Sequence, residues 1–294
     1  MALTRRNMLL GSAALAAGVS VPAFADERIA RRQIPGTDDS LPVVGLGNSN
    51  AFRRGDVPAS EAVLERLQGF GGRYVDCNGP SRFVVAEAAG NIGFDDIFPG
   101  AYFDLADAGR AQREARSLMA SLGRNQLDVM LCYTDQVGAH WDVLRSMKDD
   151  GLTKYIGTAR HTSVYYDTMI RLMETGTVDV LQVNYSLLEP EAEQRVLPVA
   201  AERGVAVLTN RPFINGRFFE LVRGRPLPEW AADFDCETWA QFSLKFILSH
   251  PAVTCVLTET ENPKHAVDNL RAGLGRLPDM SMRERMRAVI ADLA

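Results

Sequence analysis

Little in this sequence could hold a metal. Its four cysteines (Cys77, Cys132, Cys236 and Cys255) stand far apart with no CxxC spacing. His140, His161, His250 and His265 are likewise isolated, with no HxxxH pair. Zinc-type sites need such short spacings, so no metal centre is expected. Three of the cysteines lie on or beside apolar strand candidates, where a free thiol packs as a small apolar group, and no disulfide is expected. Beyond residue 25 no apolar run reaches the ~20 residues of a membrane helix. A net charge of -5 and the lack of a basic stripe argue against a nucleic-acid partner. There is no P-loop and no Ser-His-Asp arrangement. GLGNSN at 45–50 lacks the third glycine of a dinucleotide fingerprint, and no helix is expected to open there.

What is present begins with an export signal. Thr4-Arg5-Arg6-Asn7-Met8-Leu9-Leu10 is a twin-arginine pattern, followed by the apolar run GSAALAAGVSVPAFA. Ala23-Phe24-Ala25 supplies a small-x-small cleavage site before Asp26. An uncleaved anchor would need a longer apolar run. The reading is therefore a signal peptide at 1–25 and a single domain at 26–294, released into a bacterial periplasm with no membrane attachment.

The domain is organised around residues 151–213. Three short β-branched runs, KYIGT, VDVLQVNY and VAVLTN, read as strands. Between them, Tyr165, Met169, Leu172 and Met173, then Val196, Val199 and Ala200, fall at helical spacing. Strand, helix and parallel strand make a right-handed βαβ unit. The same rhythm runs through the whole domain. Strands are read at 41–47, 73–76, 97–102, 127–133, 154–157, the Val180 and Val205 runs, and 252–258. Helices are read at 58–70 (its start marked by Ser60 and Glu61), 86–92, 106–122, 141–150, 239–249, 262–272 and from Ser281. Strict alternation without a composition break predicts one (β/α)8 TIM barrel, a fold of roughly 250 residues. Sites in this fold lie at the C-terminal strand ends. The long connection at 212–235 is accordingly expected to close over the mouth through Phe213, Phe218, Phe219 and Trp230.

These strands also resemble a known family, the aldo-keto reductases, NADPH-dependent carbonyl reductases built on this barrel. GLTKYIGTARH looks like the family's G-k-i-r-y-i-G-v-S-n, VDVLQVNYSLLE like its D-v-v-Q-v-e-y-s, and ERGVAVLTNRPF like its G-i-a-v-l-a-y-s-P-l. TETENPKHAVDN resembles the cofactor-phosphate segment after the last strand, and LPVVGLG, YVD and LGRNQLDVMLCY fall in register. The resemblance covers nearly the whole mature chain.

It implies a catalytic relay of Asp, Tyr, Lys and His at the strand mouths, of which only Asp76 stands in place. The Tyr position falls on Ser81 or Phe83, depending on register; the Lys position falls on Tyr102 and the His position on Tyr133. A carbonyl reductase must protonate the oxygen as hydride arrives, and positioned acid catalysis supplies ~10²–10⁴-fold. A phenol of pKa about 10 serves only if a neighbouring cation depresses it. No lysine is placed beside Tyr102 or Tyr133. Both are expected to pack at the mouth and bond to water or Asp76, whose carboxylate accepts from Tyr102, Tyr133 or water.

The cofactor that the resemblance implies is NADP(H). Gln182 matches the Gln on the nicotinamide amide, and Asn269 matches an adenine-contacting Asn. Thr258, Lys264 and His265 fall where the 2′-phosphate end would lie, at a helix start whose free N–H groups favour anions. The ring-stacking Tyr of the seventh strand is Asn210 here, and the Ser-Asn pair after the fifth is Ala159-Arg160. Gln182 and Lys264 each also have a structural role open to them, as a satisfied strand end and a solvated helix-start charge. Arg211, at a strand end, suits a carboxylate or phosphate, or else pairs with Asp233 or Asp235.

Two functions follow. One is an exported aldo-keto reductase-like oxidoreductase with conventional NADPH-dependent carbonyl reduction lost or much reduced. The other is a non-catalytic barrel whose mouth binds a small anionic ligand or a protein partner.

Overall fold

Short β-branched runs separated by amphipathic helices close here into a barrel. The computed structural model describes residues 28–293; the segment read as a signal peptide lies outside the described residues. A hairpin of β1 (Arg31–Gln33) and β2 (Ser40–Pro42) comes first. The barrel strands are β3 (Val44–Leu46), β4 (Tyr74–Cys77), β5 (Phe98–Tyr102), β6 (Leu127–Tyr133), β7 (Thr153–Ala159), β8 (Val180–Asn184), β9 (Ala206–Asn210) and β10 (Val253–Thr258). All are parallel, each pairs with the next, and β10 pairs with β3 to close the ring. This is the (β/α)8 TIM barrel that the alternation predicts.

The helices are α1 (Asn50–Arg54), α2 (Val57–Gly69), α3 (Ser81–Asn91), α4 (Ala108–Ser121), α5 (Val137–Asp149), α6 (Tyr166–Glu174), α7 (Ala192–Arg203), α8 (Arg217–Leu221), α9 (Trp239–Leu248), α10 (Pro263–Arg271) and α11 (Met280–Ala291). Some boundaries depart from the sequence reading. The apolar run at 41–47 is two elements: Leu41 and Pro42 belong to the hairpin, and only Val44–Leu46 enters the barrel. A helix does open after GLGNSN; α1 is a turn and a half, closed by Gly55 in the left-handed conformation (φ 75). Helix α2 begins at Val57, within a residue of the reading, but its cap is Asp56 and not the Ser60 taken as its marker: Asp56 Oδ1 accepts from the Ala59 N–H at 3.1 Å. Helices α3 and α5 start several residues earlier than their apolar periodicity shows, since their first turns are largely polar or small.

Alternation along each strand builds two shells of core. On β6, Val129 and Leu131 face the barrel interior with Tyr74, Phe98 and Tyr155, while Met130 and Cys132 face the helices. Each buried Val, Leu or Phe contributes about 1.5–3 kcal/mol of transfer free energy. Gly100 lets Tyr74 cross the interior, because a Cβ there would lie 1.9 Å from the Tyr74 hydroxyl oxygen. All four cysteines are buried and free.

The hairpin plugs the floor, the end of the barrel opposite the mouth. Ile34 and Leu41 pack into the interior cluster. Arg32 donates to the carbonyls of His250 (3.1 Å), Leu248 and Val253, below β10. Tyr155 donates to Asp39 at 2.7 Å. At the chain's other end Arg283 of α11 is buried, donating to Tyr185 Oη at 2.8 Å and to Glu193 of α7.

The 212–235 connection reaches the mouth through Asn215, while none of its four expected aromatics lines that cavity. Phe213 and Phe219 lie 4.7 Å apart by ring centroid, and Phe218 sits 6.3 Å from Trp239 of α9. Trp230 goes to the outside, 5.8 Å from Phe242 and beneath the Arg285 guanidinium at 4.2 Å. The expected closure by four aromatics is therefore corrected. Helix α9 carries Trp239, Phe242 and Phe246 at i, i+3 and i+7 along one face, and Phe218 and Trp230 of the connection pack on the first two.

Candidate functional site

The strand ends deliver polar side chains around one cavity of about 380 Å³ at the C-terminal face. Asn48 follows β3, Asp76 lies on β4 with Asn78 just beyond, Tyr102 ends β5 and Tyr133 ends β6. Arg160 and His161 follow β7, Gln182 lies on β8, Asn210 and Arg211 stand at the end of β9, and Glu259 follows β10. This is the face where sites of the fold lie.

The floor of the cavity is a chain of hydrogen bonds. Tyr102 donates to Gln182 Oε1 at 2.6 Å, and Gln182 Nε2 donates to Asp76 Oδ2 at 3.4 Å. Asn48 Nδ2 donates to Asn78 Oδ1 at 2.7 Å, and Asn78 Nδ2 donates to the Tyr133 hydroxyl at 3.0 Å. The rings of Tyr102 and Tyr133 stack at 5.0 Å. Asp76 is thus served by Gln182, and the hydroxyls of Tyr102 and Tyr133 meet the amides of Gln182 and Asn78, partners that the expectation of water or Asp76 did not include. Asp76 Oδ1 has no protein partner.

Burial sets the electrostatics of this floor. It pushes the Asp76 carboxyl from 3.8 up to about 7, against the hydrogen bond from Gln182. Burial also raises Tyr102 well above its ordinary value, and the nearby Asp76 adds to the rise. Tyr133 is raised by burial too, with the Asn78 bond opposing. An acid relay needs the reverse, a phenol lowered by a cation.

The rim is cationic. The Arg160 guanidinium lies 4.4 Å over the Tyr133 ring and pairs with Asp135. Arg211 takes a left-handed backbone (φ 55) and donates from Nη1 to the His161 carbonyl at 3.1 Å. Asp235, one of its two proposed partners, is bound instead to Arg276 at 2.6 Å. Burial, then Arg211 and Arg160, lowers the His161 pKa. Glu259 follows β10, the strand next to β9, so the rim also carries a carboxylate; it is raised by burial and faces Arg53 at 3.7 Å.

A second cleft of about 420 Å³ adjoins the mouth and shares Glu259 with it. Phe213, Phe219 and Trp239 supply its aromatic surface, and His265, Asp268 and Asn269 of α10 its polar side. Lys264 does not line it; its side chain is exposed and its backbone N–H donates to the cap Asn262. Thr258 lines neither cavity, being buried in the barrel wall with its hydroxyl directed at the Gly45 carbonyl, 3.4 Å away.

Of the residues read from sequence, Asp76, Tyr102, Tyr133, Gln182, Asn210 and Arg211 come together at the mouth, while His265 and Asn269 meet in the adjoining cleft. Neither residue considered for the Tyr position reaches the mouth. Ser81 bonds the backbone of Asn78 (3.0 Å from its N–H), and Phe83 lines, with Arg82, a cleft that meets the mouth at Asn78, Tyr102 and Tyr133. Asn78 stands at the mouth instead. Asn48, Asn78, Glu259, Arg53 and Asn215 escape the sequence reading. The first three carry one signal, being polar just after a barrel strand; Arg53 in α1 and Asn215 in the long connection carry none.

Residues 106–290 match the sequence profile of the Aldo/keto reductase family. A curated relative, the NADH-specific methylglyoxal reductase of Escherichia coli (strain K12), is 22% identical over 190 residues, 60% of this chain and 52% of that protein. The chain therefore spans about half the length of that relative. Among solved structures, the holo form of aldo-keto reductase AKR11C1 from Bacillus halodurans superposes with a TM-score of 0.67 at 17% identity, covering 91% of this chain and 96% of that one. An aldo/keto reductase from Klebsiella pneumoniae in complex with NADP and acetate gives 0.65 at 18% identity, with coverages of 87% and 94%. These likenesses show the shared fold. Together with the profile match over most of its length, they establish that the chain belongs to the aldo/keto reductase family.

Proposed function

We propose that this chain is an exported member of the family in which conventional NADPH-dependent carbonyl reduction is lost or much reduced. One observation carries the reading: the mouth holds no lysine, and the phenol in the lysine position, Tyr102, is hydrogen-bonded to Gln182 and raised in pKa. The only histidine lining the mouth among the described residues, His161, stands after β7 and not at the end of β6. No cation-lowered phenol stands here to deliver a proton to a carbonyl oxygen. The Asp76 carboxyl, raised to about 7, is a proton source of another kind, and the Asp76→Asn control below tests it.

The fit of NADP(H) divides along the molecule. The adjoining cleft suits an adenosine end, with aromatic faces on Phe213 and Trp239 and an amide on Asn269. The mouth does not suit a nicotinamide. Both polar atoms of the Gln182 amide are already engaged, the stacking position is Asn210, and Arg160 stands where the family has Ser-Asn. The twin-arginine pattern supports delivery to the periplasm, a compartment without a free NADPH pool to turn over. The test is NADPH oxidation by the purified protein against a panel of aldehydes and quinones, with Asp76→Asn as control. Background rates are expected; robust turnover abolished by Asp76→Asn overturns the proposal.

A second reading, a barrel that binds a small anion without chemistry, is favoured by Arg211. No carboxylate among the described residues pairs with it, although it stands at the rim.

A further inference from the structure

We propose that the barrel mouth is a binding site for a small polyhydroxylated carboxylate, a sugar acid, whose carboxylate docks on Arg211 and Arg160 and whose hydroxyls bond the floor. This deepens the second reading above, and rests on the mouth lacking a carbonyl-reducing relay.

The first argument is charge. Arg160, His161 and Arg211 lie together on one side of the rim. Asp135 meets Arg160 from outside the cavity lining, and Arg211 has only a backbone carbonyl as partner. A guanidinium offers a planar fork that matches a carboxylate, and such charge-assisted pairs are among the stronger hydrogen bonds.

The second argument is unsatisfied polarity, and it points to hydroxyls. Ten buried side-chain polar atoms lack a hydrogen-bond partner among the described residues, and five belong to residues lining this cavity. They are Asn48 Oδ1, Asp76 Oδ1, Arg160 Nε, Asn210 Oδ1 and Arg211 Nε. Asn48 is 5% exposed and Asp76 7%, so bulk water does not serve them freely. A buried polar atom without a partner costs about 1–3 kcal/mol, and native proteins leave few of them. Three of the five are acceptors. A bare anion brings no donors, whereas several hydroxyls bring one each. The cavity, about 380 Å³, falls within the ~300–1,000 Å³ range of small-molecule sites.

The experiment is calorimetric titration of the purified protein, without nucleotide, by D-gluconate, acetate, D-sorbitol and D-glucose 6-phosphate. D-gluconate should bind, with acetate and sorbitol at least tenfold weaker, since each lacks half of the recognised chemistry. Arg211→Gln should weaken D-gluconate roughly tenfold, the loss expected when a charge-assisted hydrogen bond of a half-buried guanidinium is removed. Equal affinity for acetate or for sorbitol overturns the proposal, as does unchanged affinity in Arg211→Gln. Tighter binding of D-glucose 6-phosphate than of D-gluconate overturns the assignment to a carboxylate. The ligand comparison uses the unaltered protein and stands even if the variant misfolds. NADPH turnover is measured separately, so failure of one reading is not failure of the other.

Discussion

Tyr102 donates its hydroxyl hydrogen to Gln182 Oε1 at 2.6 Å, tying the end of β5 to β8 across the barrel mouth. The same amide then turns its nitrogen toward Asp76 at 3.4 Å. A side chain that the family resemblance offers to a cofactor is thereby spent inside the protein. Tyr102→Phe would release the Gln182 oxygen and leave it buried. The expected cost is about 1 kcal/mol, read as a lower midpoint in urea, with no gain in NADPH oxidation.

Asp76 makes stability depend on pH. Its folded pKa, about 7, lies above the ordinary 3.8, so the folded protein holds this proton more tightly than the unfolded chain does. The stabilisation is complete below about pH 4, declines as pH rises, and is gone above about pH 7. The upper bound is ~4 kcal/mol. Asp76→Asn should therefore raise the melting temperature relative to wild type at pH 8 and give little change at pH 4. Equal shifts at both pH values would contradict the buried, protonatable carboxyl.

Arg283 links α11 to α7 and α9 from a buried position, through Tyr185, Glu193 and the Phe246 carbonyl. Arg283→Met leaves the Phe246 carbonyl and the Tyr185 hydroxyl short of a donor. A loss of about 3 kcal/mol is expected, in the range for breaking a buried pair. Denaturant unfolding followed by tryptophan fluorescence would measure it.

Gly100 and Tyr74 form a coupled pair in the interior. A Cβ at position 100 would lie 1.9 Å from the Tyr74 hydroxyl oxygen, so Gly100→Ala should cost about 1–3 kcal/mol through overpacking. Removing that oxygen with Tyr74→Phe should recover part of the loss. Additive effects in the double variant would show that the two do not meet.

Export is tested at its own residues. Replacing Arg5 and Arg6 with Lys is expected to retain the protein in the cytoplasm, as read by cell fractionation. Undiminished export of the double-Lys form would assign another pathway.

The barrel was legible because each strand is a short β-branched run followed by helical spacing, and parallel strands with crossover helices leave few closed arrangements. Asp76 was findable as an acid closing an apolar strand, whereas Tyr102 and Gln182 were found through the positions that the family resemblance assigns. Asn48 and Asn78 were not, because they lie past the strand ends, where turn geometry and not alternation aims the side chain. Thr258 against Glu259 shows the limit of register: one step along the chain separates a wall residue from one lining both cavities. The split at Val43 was hidden because Leu41 and Val44 are equally apolar, though one enters an antiparallel hairpin and the other a parallel barrel.

The plug at the floor determines how the molecule can be tethered. Ile29 and Ala30 are pinned below the barrel, to the carbonyls of Phe70 (3.1 Å) and Gly273 (2.9 Å), and Arg32 continues the same anchorage under β10. Arg28, beside Gly71, therefore stands at the end of the barrel away from the cavity. A domain coupled to a sensor chip through a side chain engineered at position 28 would face its open mouth toward the solution and keep it free to take up ligand.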